Sequence, residues 1–418
     1  MTTTPEQITD LISGYTDLKD YFESCREDMQ PFMAAVRHPH QVTLEVGADK
    51  EFAHPIEACL HLNHHAMANN IAWKIVIDPG IYPFPYQDHR GCTIDHGKQV
   101  EITSRSGNAA DVVFEGHSEH HDWLVRAEHQ CHLTISHITF RDARQLTRNR
   151  IDAVNQRNYV ENNAGGIVHG VLVTNSSSLN IAHCQFSDLW HAIGLQVNSQ
   201  ATIDQCNGTA IGHAVFLWQT SFARMTRCQW TGVIDDDSNW HYGTGVGVSH
   251  SSVLHANGNR LKNFHHGVHC HWSSDAHFHR AHSWGGSDGR TPVDIVNGRI
   301  ENCHHGVHVW HSSGGNFSNL SIINSRSHAF VTGCGSSTYA HHNVTIDGAH
   351  DGFYCRHSAS IVANHAVVKN CRATAFVAAY LAEIHAGGTR AHVSGNAHNY
   401  SPGASHTPGN HGGQIYIS

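Results

Sequence analysis

The sequence predicts an all-β protein: a right-handed, single-stranded parallel β-helix with coils of about 22 residues and a short α-helical segment at its N-terminus. Three observations carry this. A small residue followed by a large apolar one recurs at Gly170-Val171, Ala192-Ile193, Ala214-Val215, Gly245-Val246, Gly267-Val268, Gly306-Val307, Ala329-Phe330, Gly352-Phe353 and Ala375-Phe376. The steps between pairs are 22, 22, 31, 22, 39, 23, 23 and 23 residues, so six of eight agree and two contain insertions. Two positions past the apolar residue stands another, at Val173, Leu195, Leu217, Val248, Cys270 and Val309, which is the period of a half-buried strand.

Each coil then turns through a serine, at Ser176, Ser199, Ser221, Ser251, Ser273, Ser312, Ser336 and Ser358, and enters a second short strand such as LNI or ATI. So short a period holds three brief strands and their turns. It is too short for two helices, and the leucine-rich signature is absent. An earlier coil lies near Val125, where LTISHITF matches the LNIAHCQF that begins at Leu179. Cys184, Cys206 and Cys228 stand at one offset and are expected as a buried stack of free thiols, which behave as small apolar groups. No CxxC pair exists, so the cysteines fit a reducing place of assembly.

Residues 1–38 form a separate segment. Ile8, Leu11, Tyr15, Leu18, Phe22, Cys25 and Met29 follow steps of three and four, a heptad seam suited to oligomerisation or anchoring; an amphipathic helix packed on the solenoid end is the alternative. Residues 39–120 hold the cap and first coils, with FAHPIEACLHLNHHAMAN as a capping helix and WKIVIDPGIY as a strand ending in a Pro-Gly turn. Residues 121–418 are the main solenoid, with departures at about 141–164, 232–243 and 283–296.

Charged residues make up 15%, below the usual quarter or so, and glycine numbers 37, which suits a turn-rich β architecture. A net charge of -9 argues against nucleic-acid binding. The N-terminus, MTTTPEQITD, lacks the basic and apolar run of a secretory signal, and no stretch approaches a membrane span. We therefore expect a soluble protein with no membrane insertion that leaves its cell only by lysis or assembly. The 43 histidines make surface charge steeply dependent on pH between about 5 and 7.5.

Histidine also occupies one coil position repeatedly, at His169, His191, His213, His266, His305 and His328, with Thr244, Asp351 and Thr374 in the other coils. Stacking turns these into a ladder along one edge. Neutral stacked turn residues are the plain expectation, with adventitious metal binding and a functional metal site at these six histidines as the lesser alternatives; a linear row does not supply the converging tetrahedral set of a built zinc site, and no cofactor is expected. The second and third departures combine carboxylates with aromatics: Asp235, Asp236, Asp237, Trp240 and Tyr242, then Trp284, Asp288, Arg290 and Asp294. Trp218 and Trp310 share an offset, with His271 at the same place between them. Flat rings with a polar edge suit sugar rings, so Trp218, Trp240, Tyr242, Trp284, Arg290 and Trp310 are the expected ligand-binding residues. Asp235, Asp237, Asp288 and Asp294 are weak candidates for paired-carboxylate glycoside hydrolysis, since an Asp-rich run is more often a solvated loop or a cation site.

VTLEVGADKEF, PIEACLHL, WKIVIDPGIYPF and CTIDHGKQVEITSRSG together resemble the opening of pectin-lyase-like right-handed β-helix proteins. The coils from DGFYCRHSASIVANHAVVKNC to HVSGNAHNYSPG resemble the closing repeats of phage and prophage tail-spike or tail-fibre β-helices, and YTDLKDYFESCREDM their connector helices. The resemblance implies a homotrimeric virion appendage, assembled in the host cytoplasm. It would attach to other virion proteins through its N-terminal segment and recognise host surface polysaccharide. Some members also cleave that polysaccharide, and some parts of such particles are structural. No catalytic motif of the family can be placed on these residues, and the histidine load departs from it.

Overall fold

The computed structural model describes residues 41–64, 71–117 without 88 and 90, 122–143, 168–235, 240–272 without 242, 293–341 without 297, 343–387, 392–402 and 412–417. Within them the chain winds as a parallel solenoid with one α-helix, the architecture of a right-handed parallel β-helix. The heptad segment at 1–38 lies outside the described residues.

Each rung carries three short strands, one on each face. The rung after Ser177 illustrates the pattern: Ser178–Ala182 on the first face, then Gln185–Leu195, which bends through a corner to supply the second face and the third. We call these faces sheets I, II and III. Sheet I is a single 14-stranded parallel sheet. Sheets II and III are separate ladders joined where Gln185–Leu195 and Asn207–Leu217 run through the corner. Helix α1 (Pro55–His64) packs its buried Ile56, Ala58, Cys59 and Leu62 over the first rungs, as expected of a cap. It covers core that an open solenoid end would expose.

The repeat read from the sequence is the register of sheet III. Val171 pairs with Ile193, Ile193 with Val215, Val215 with Val246, Val246 with Val268 and Val268 with Val307. Val307 then pairs with Phe330, Phe330 with Phe353 and Phe353 with Phe376. Every member is buried. Below Val171 the column continues through Val125 to Cys92. The Phe330, Phe353 and Phe376 rings stack with centroids 4.9 and 5.3 Å apart.

The small residue ahead of each apolar one has a specific cause. A Cβ built on Gly267 would lie 2.6 Å from the Gly306 carbonyl oxygen, and one on Gly306 2.6 Å from that of Ala329. Alanine fits at the same place in other rungs, and Leu124 occupies it in the rung below Gly170.

The corners are held by left-handed residues. Between sheets III and I two consecutive residues take positive φ, among them Asn175-Ser176, Gln219-Thr220, His250-Ser251, His311-Ser312 and His357-Ser358. The serines noted in the sequence therefore fall in two registers. Ser176, Ser251, Ser312 and Ser358 are corner residues, whereas Ser199, Ser221 and Ser336 belong to a buried column with Ser177, Ser252 and Ser313. There the hydroxyls accept backbone N–H groups of the rung below, as Ser252 Oγ does from Ser221 at 3.1 Å and Ser336 Oγ from Ser313 at 3.2 Å. Between sheets II and III, Asn263, Asn302, Asn324 and Asn370 adopt positive φ, which asparagine tolerates best after glycine.

Cys184, Cys206 and Cys228 form the expected internal stack, buried and free. Asn259 follows them in the same column. Its Oδ1 accepts the Cys228 N–H at 2.9 Å and its Nδ2 donates to the Met225 carbonyl at 2.9 Å, so the buried amide is satisfied.

Two departures from the solenoid are shifted from the bounds that the spacing suggests. Arg141 and Asp142 end a regular strand (Thr139–Asp142), and Val293–Val296 is a strand of sheet I. Asp294 thus sits in a rung, between His255 and Asn316 in register, and not in a loop. The alternation of VDIV is itself a strand signal. The second departure returns on itself as an antiparallel ribbon, Ile234–Asp235 against Trp240–His241.

Replacing Gly306 by Val should lower the unfolding free energy by about 1–3 kcal/mol, the usual range for overpacking, read as a lower chemical-denaturation midpoint, and Gly306→Ala should cost less. Equal stability of Gly306→Val and the parent would contradict this account of the small residue.

Candidate functional site

Three departures from the repeat border one face. The first two, 144–167 and 236–239, lie on the connection from sheet II to sheet III, and the third, 273–292, on the connection from sheet III to sheet I. The outer side of sheet III is therefore where the chain departs from its repeat, as binding faces of solenoids usually do.

That outer side is a wall of imidazole and aromatic rings. The ladder of sequence-predicted histidines stacks along its leading edge in two runs. His169, His191 and His213 have centroids 5.0 and 4.8 Å apart, and His266, His305 and His328 have centroids 5.4 and 5.3 Å apart. Thr244 interrupts them, paired in register with His213 below and His266 above. In the lower run Trp123 stacks on His169 at 4.4 Å, and Phe216 lies 4.9 Å from His191. Gly194 makes room for the Phe216 ring, with a built Cβ only 2.5 Å from it.

The upper run is wider. Three positions past the ladder histidine, His269 and His308 also face outward, in register with one another. His265 and His304 stack at the preceding corner, 4.8 Å apart. These four were not singled out in the sequence. The signal was present: HHGVH occurs at 265–269 and again at 304–308. The 39-residue step hid the fact that these are adjacent rungs.

Burial sets the protonation of this wall. His213 is pushed down to about 4, first by desolvation and then by the charge of His271. His191 is held well below the ordinary histidine value by burial and by His213 and His169. Its Nδ1 accepts the His213 backbone N–H at 3.1 Å, which fixes a neutral acceptor there. Desolvation and the neighbouring imidazoles drive His269 and His305 to about 2, and desolvation followed by the Arg356 charge drives His308 to about 4.

Above the histidines lies a more polar group. Asp351 Oδ2 faces His350 Nδ1 at 3.1 Å and His328 Nε2 at 3.3 Å, while Oδ1 accepts the Thr374 N–H at 3.0 Å. Burial raises the Asp351 pKa, but these partners outweigh it and hold the carboxyl below its ordinary value. Tyr354 stands 4.5 Å from the His328 ring. The Arg356 guanidinium lies 4.5 Å over Trp310 and 5.6 Å from Tyr354. Trp310 reaches it across Gly333, where any Cβ would strike the indole.

At the corner from sheet III to sheet I the rings are more exposed. Trp218 is 40% accessible and Trp272 52%. Trp218, His250 and Trp272 follow one another at 5.3 Å steps, then His311 at 6.1 Å; higher up His357 stacks on Tyr380 at 4.8 Å. The shared offset of Trp218, His271 and Trp310 is thus one residue short of the main exposed row, which runs through His250, Trp272, His311, His357 and Tyr380. Trp310 is half-buried beneath Arg356.

Of the other sequence-predicted residues, only Asp235, Trp240 and Asp294 fall among the described residues. Asp237, Tyr242, Trp284, Asp288 and Arg290 lie outside the described residues, as does Asp236. Asp235 and Trp240 are paired in the ribbon at the sheet II–III side, whereas Asp294 is in sheet I. Asp235 and Asp294 therefore sit on different parts of the prism, and the described residues do not assemble that carboxylate pair.

Comparison with known proteins agrees with the architecture. Residues 286–397 match the family model described as "Right handed beta helix region". No curated protein matches the sequence. Among solved structures, the chain is similar to the A-module of the mannuronan C-5 epimerase AlgE6 from Azotobacter vinelandii. The TM-score is 0.58 at 10% identity, over 87% of this chain and 93% of that one. It is also similar to the catalytic domain of a GH87 alpha-1,3-glucanase in complex with nigerose, with TM-score 0.50 at 9% identity over 91% and 68%. At these identities the shared property is the fold.

A histidine held at about 4 when folded and near 6.5 when unfolded destabilises the fold as pH falls. Its contribution is whole above pH 6.5 and is lost progressively down to about pH 4, as the unfolded chain takes up protons that the folded chain refuses. Melting temperature should accordingly decline between pH 7 and 4.5, and His213→Gln should reduce the decline. A flat profile across that window would show that these imidazoles are not buried in neutral form.

Proposed function

We propose that this protein acts on polysaccharide, which it engages along the outer face of sheet III and the adjoining corner with sheet I. The observation that carries this is the set of exposed and half-exposed rings rising at this corner: Trp218, then His250, Trp272 and His311, and, past Cys334, His357 and Tyr380. Rungs follow one another at about 4.8 Å, so an extended chain of rings lying along the axis meets a flat side chain at regular intervals. Aromatic side chains offer an apolar face with a polar edge, which fits a sugar ring. The two similar solved structures are named for mannuronan and for alpha-1,3-glucan with bound nigerose, and this supports the class of ligand.

The setting we propose is a phage virion appendage, a homotrimer held to its particle through residues 1–38 and directed at host surface polysaccharide. A particle about three times the chain mass in solution supports that setting, and a monomer removes it while leaving the binding face untouched.

A second reading, that the face also cleaves its ligand, is favoured by the group around Asp351. His328 and Asp351 form an imidazole–carboxylate pair suited to proton transfer. Tyr354 adjoins His328 and offers a phenolic proton. The Arg356 guanidinium, over Trp310 and beside Tyr354, adds a cation to the group. This is the cation beside an acid–base group that a lyase requires; a hydrolase requires a second carboxylate.

Binding is tested by titrating the full chain with bacterial exopolysaccharides, acidic and neutral. The Trp218→Ala, Trp272→Ala double variant should bind at least tenfold more weakly, with unchanged circular dichroism. Unaltered affinity would move the ligand off this corner. Cleavage is read as new reducing ends or unsaturated sugars. Tyr354→Phe and His328→Gln should abolish it, whereas loss through Asp235→Asn or Asp288→Asn would return the chemistry to the departures from the solenoid.

A further inference from the structure

The six imidazoles of the two HHGVH rungs form a grid, and nothing in the glycan reading requires it. His265, His266 and His269 come from one rung, and His304, His305 and His308 from the next. In an ordinary stacked row each imidazole has one neighbour above and one below. Here His266 is surrounded: His265 at 4.4 Å, His269 at 4.5 Å, His308 at 4.8 Å and His305 at 5.4 Å between centroids.

The nitrogens converge. One ligand atom each from His266, His269 and His308 lies within 4.8 Å of the others, and the same holds for His265, His266 and His305. His308 Nδ1 and His266 Nε2 are 3.1 Å apart. Zinc–nitrogen bonds of about 2.0–2.1 Å in a tetrahedron place ligand nitrogens about 3.4 Å from one another. That pair is therefore near its ligand spacing; the three rings stack within 10–22° of parallel, so binding requires their side chains to rotate the lone pairs onto one ion. The rungs supply the rigidity: Val268 and Cys270, flanking His269, are buried in the core, as are Val307 and Val309 around His308.

We propose that His266, His269 and His308 bind one divalent transition-metal ion on the outer face of sheet III, with a fourth position open to water or a ligand oxygen. An all-imidazole set selects zinc, copper or nickel over magnesium and calcium, which take oxygen ligands. Three protein ligands and an open position is the pattern of zinc sites that do chemistry, whereas structural sites are closed by four. The three rings are half-buried, so the open position faces solvent. His305 stacks beside His266, and its buried Nδ1 has no hydrogen-bond partner, which places a further imidazole within the set's surroundings. A further candidate set among the described residues, Asp95 with His96 and His129, is more exposed and already internally paired, His129 Nδ1 to Asp95 Oδ1 at 2.6 Å.

The test uses the full chain, stripped with chelator and dialysed against buffered zinc. The parent should bind one tight equivalent per chain, separable from weaker uptake by the other histidines. Cobalt in its place should give the intense visible absorption of a tetrahedral site. The His269→Asn, His308→Asn variant alters only outward side chains and should lose that equivalent, with affinity down at least a hundredfold and circular dichroism unchanged. His96→Asn, His129→Asn should leave it in place. Graded weak uptake with no tight equivalent means adventitious binding and overturns the site. So does a tight equivalent that survives in the first variant or disappears in the second. Because the readout is metal stoichiometry, it stands or falls independently of polysaccharide binding.

Discussion

Successive rungs approach closely at the small residues near the start of each strand of sheet III, where the Cα of one rung faces the carbonyl oxygen of the next. Gly267 sits under Gly306, and Gly306 under Ala329, with no room for a branched side chain. This contact fixes the register, because a slip of one residue would drive Val268 or Val307 into that space and turn the apolar column outward. Once the register is fixed, every outward position repeats at the rung spacing. The histidine ladder, the imidazole grid and the aromatic row are consequences of that one packing condition.

The same condition explains which parts of the molecule were legible from the sequence. The pairs from Gly170-Val171 to Ala375-Phe376 predicted the register of sheet III, because a buried column tolerates few residue types. The cysteine stack was visible for the same reason. The outer face was harder to read, because exposed positions are free to vary and their pattern must be traced along two axes at once. Following one offset found His169 through His328 but missed His269 and His308, which share strands with His266 and His305. The insertion between the two HHGVH copies disguised neighbours as strangers.

Asp294 illustrates the opposite error. Its surroundings, rich in glycine and serine, suggested a loop, yet VDIV already alternates and takes its place between Leu254 and Phe317 in sheet I. Local composition misled where periodicity did not. The corner aromatics show a subtler limit. Trp218 and Trp310 share an offset but not an environment, since Gly333 lets the second lie down beneath Arg356. A side chain's orientation there depends on the rung above, which no single repeat records.

The described thiols extend from Cys59 in the cap to Cys371 near the last rungs, all free and, apart from Cys334, sealed in the interior. Closed rungs keep them out of reach of alkylating reagents, and each becomes reactive only when its own turn of the solenoid opens. The chain thus carries a graduated set of depth gauges. The order in which they label would tell whether the solenoid unravels from the capped end, from the far end, or at an insertion in between.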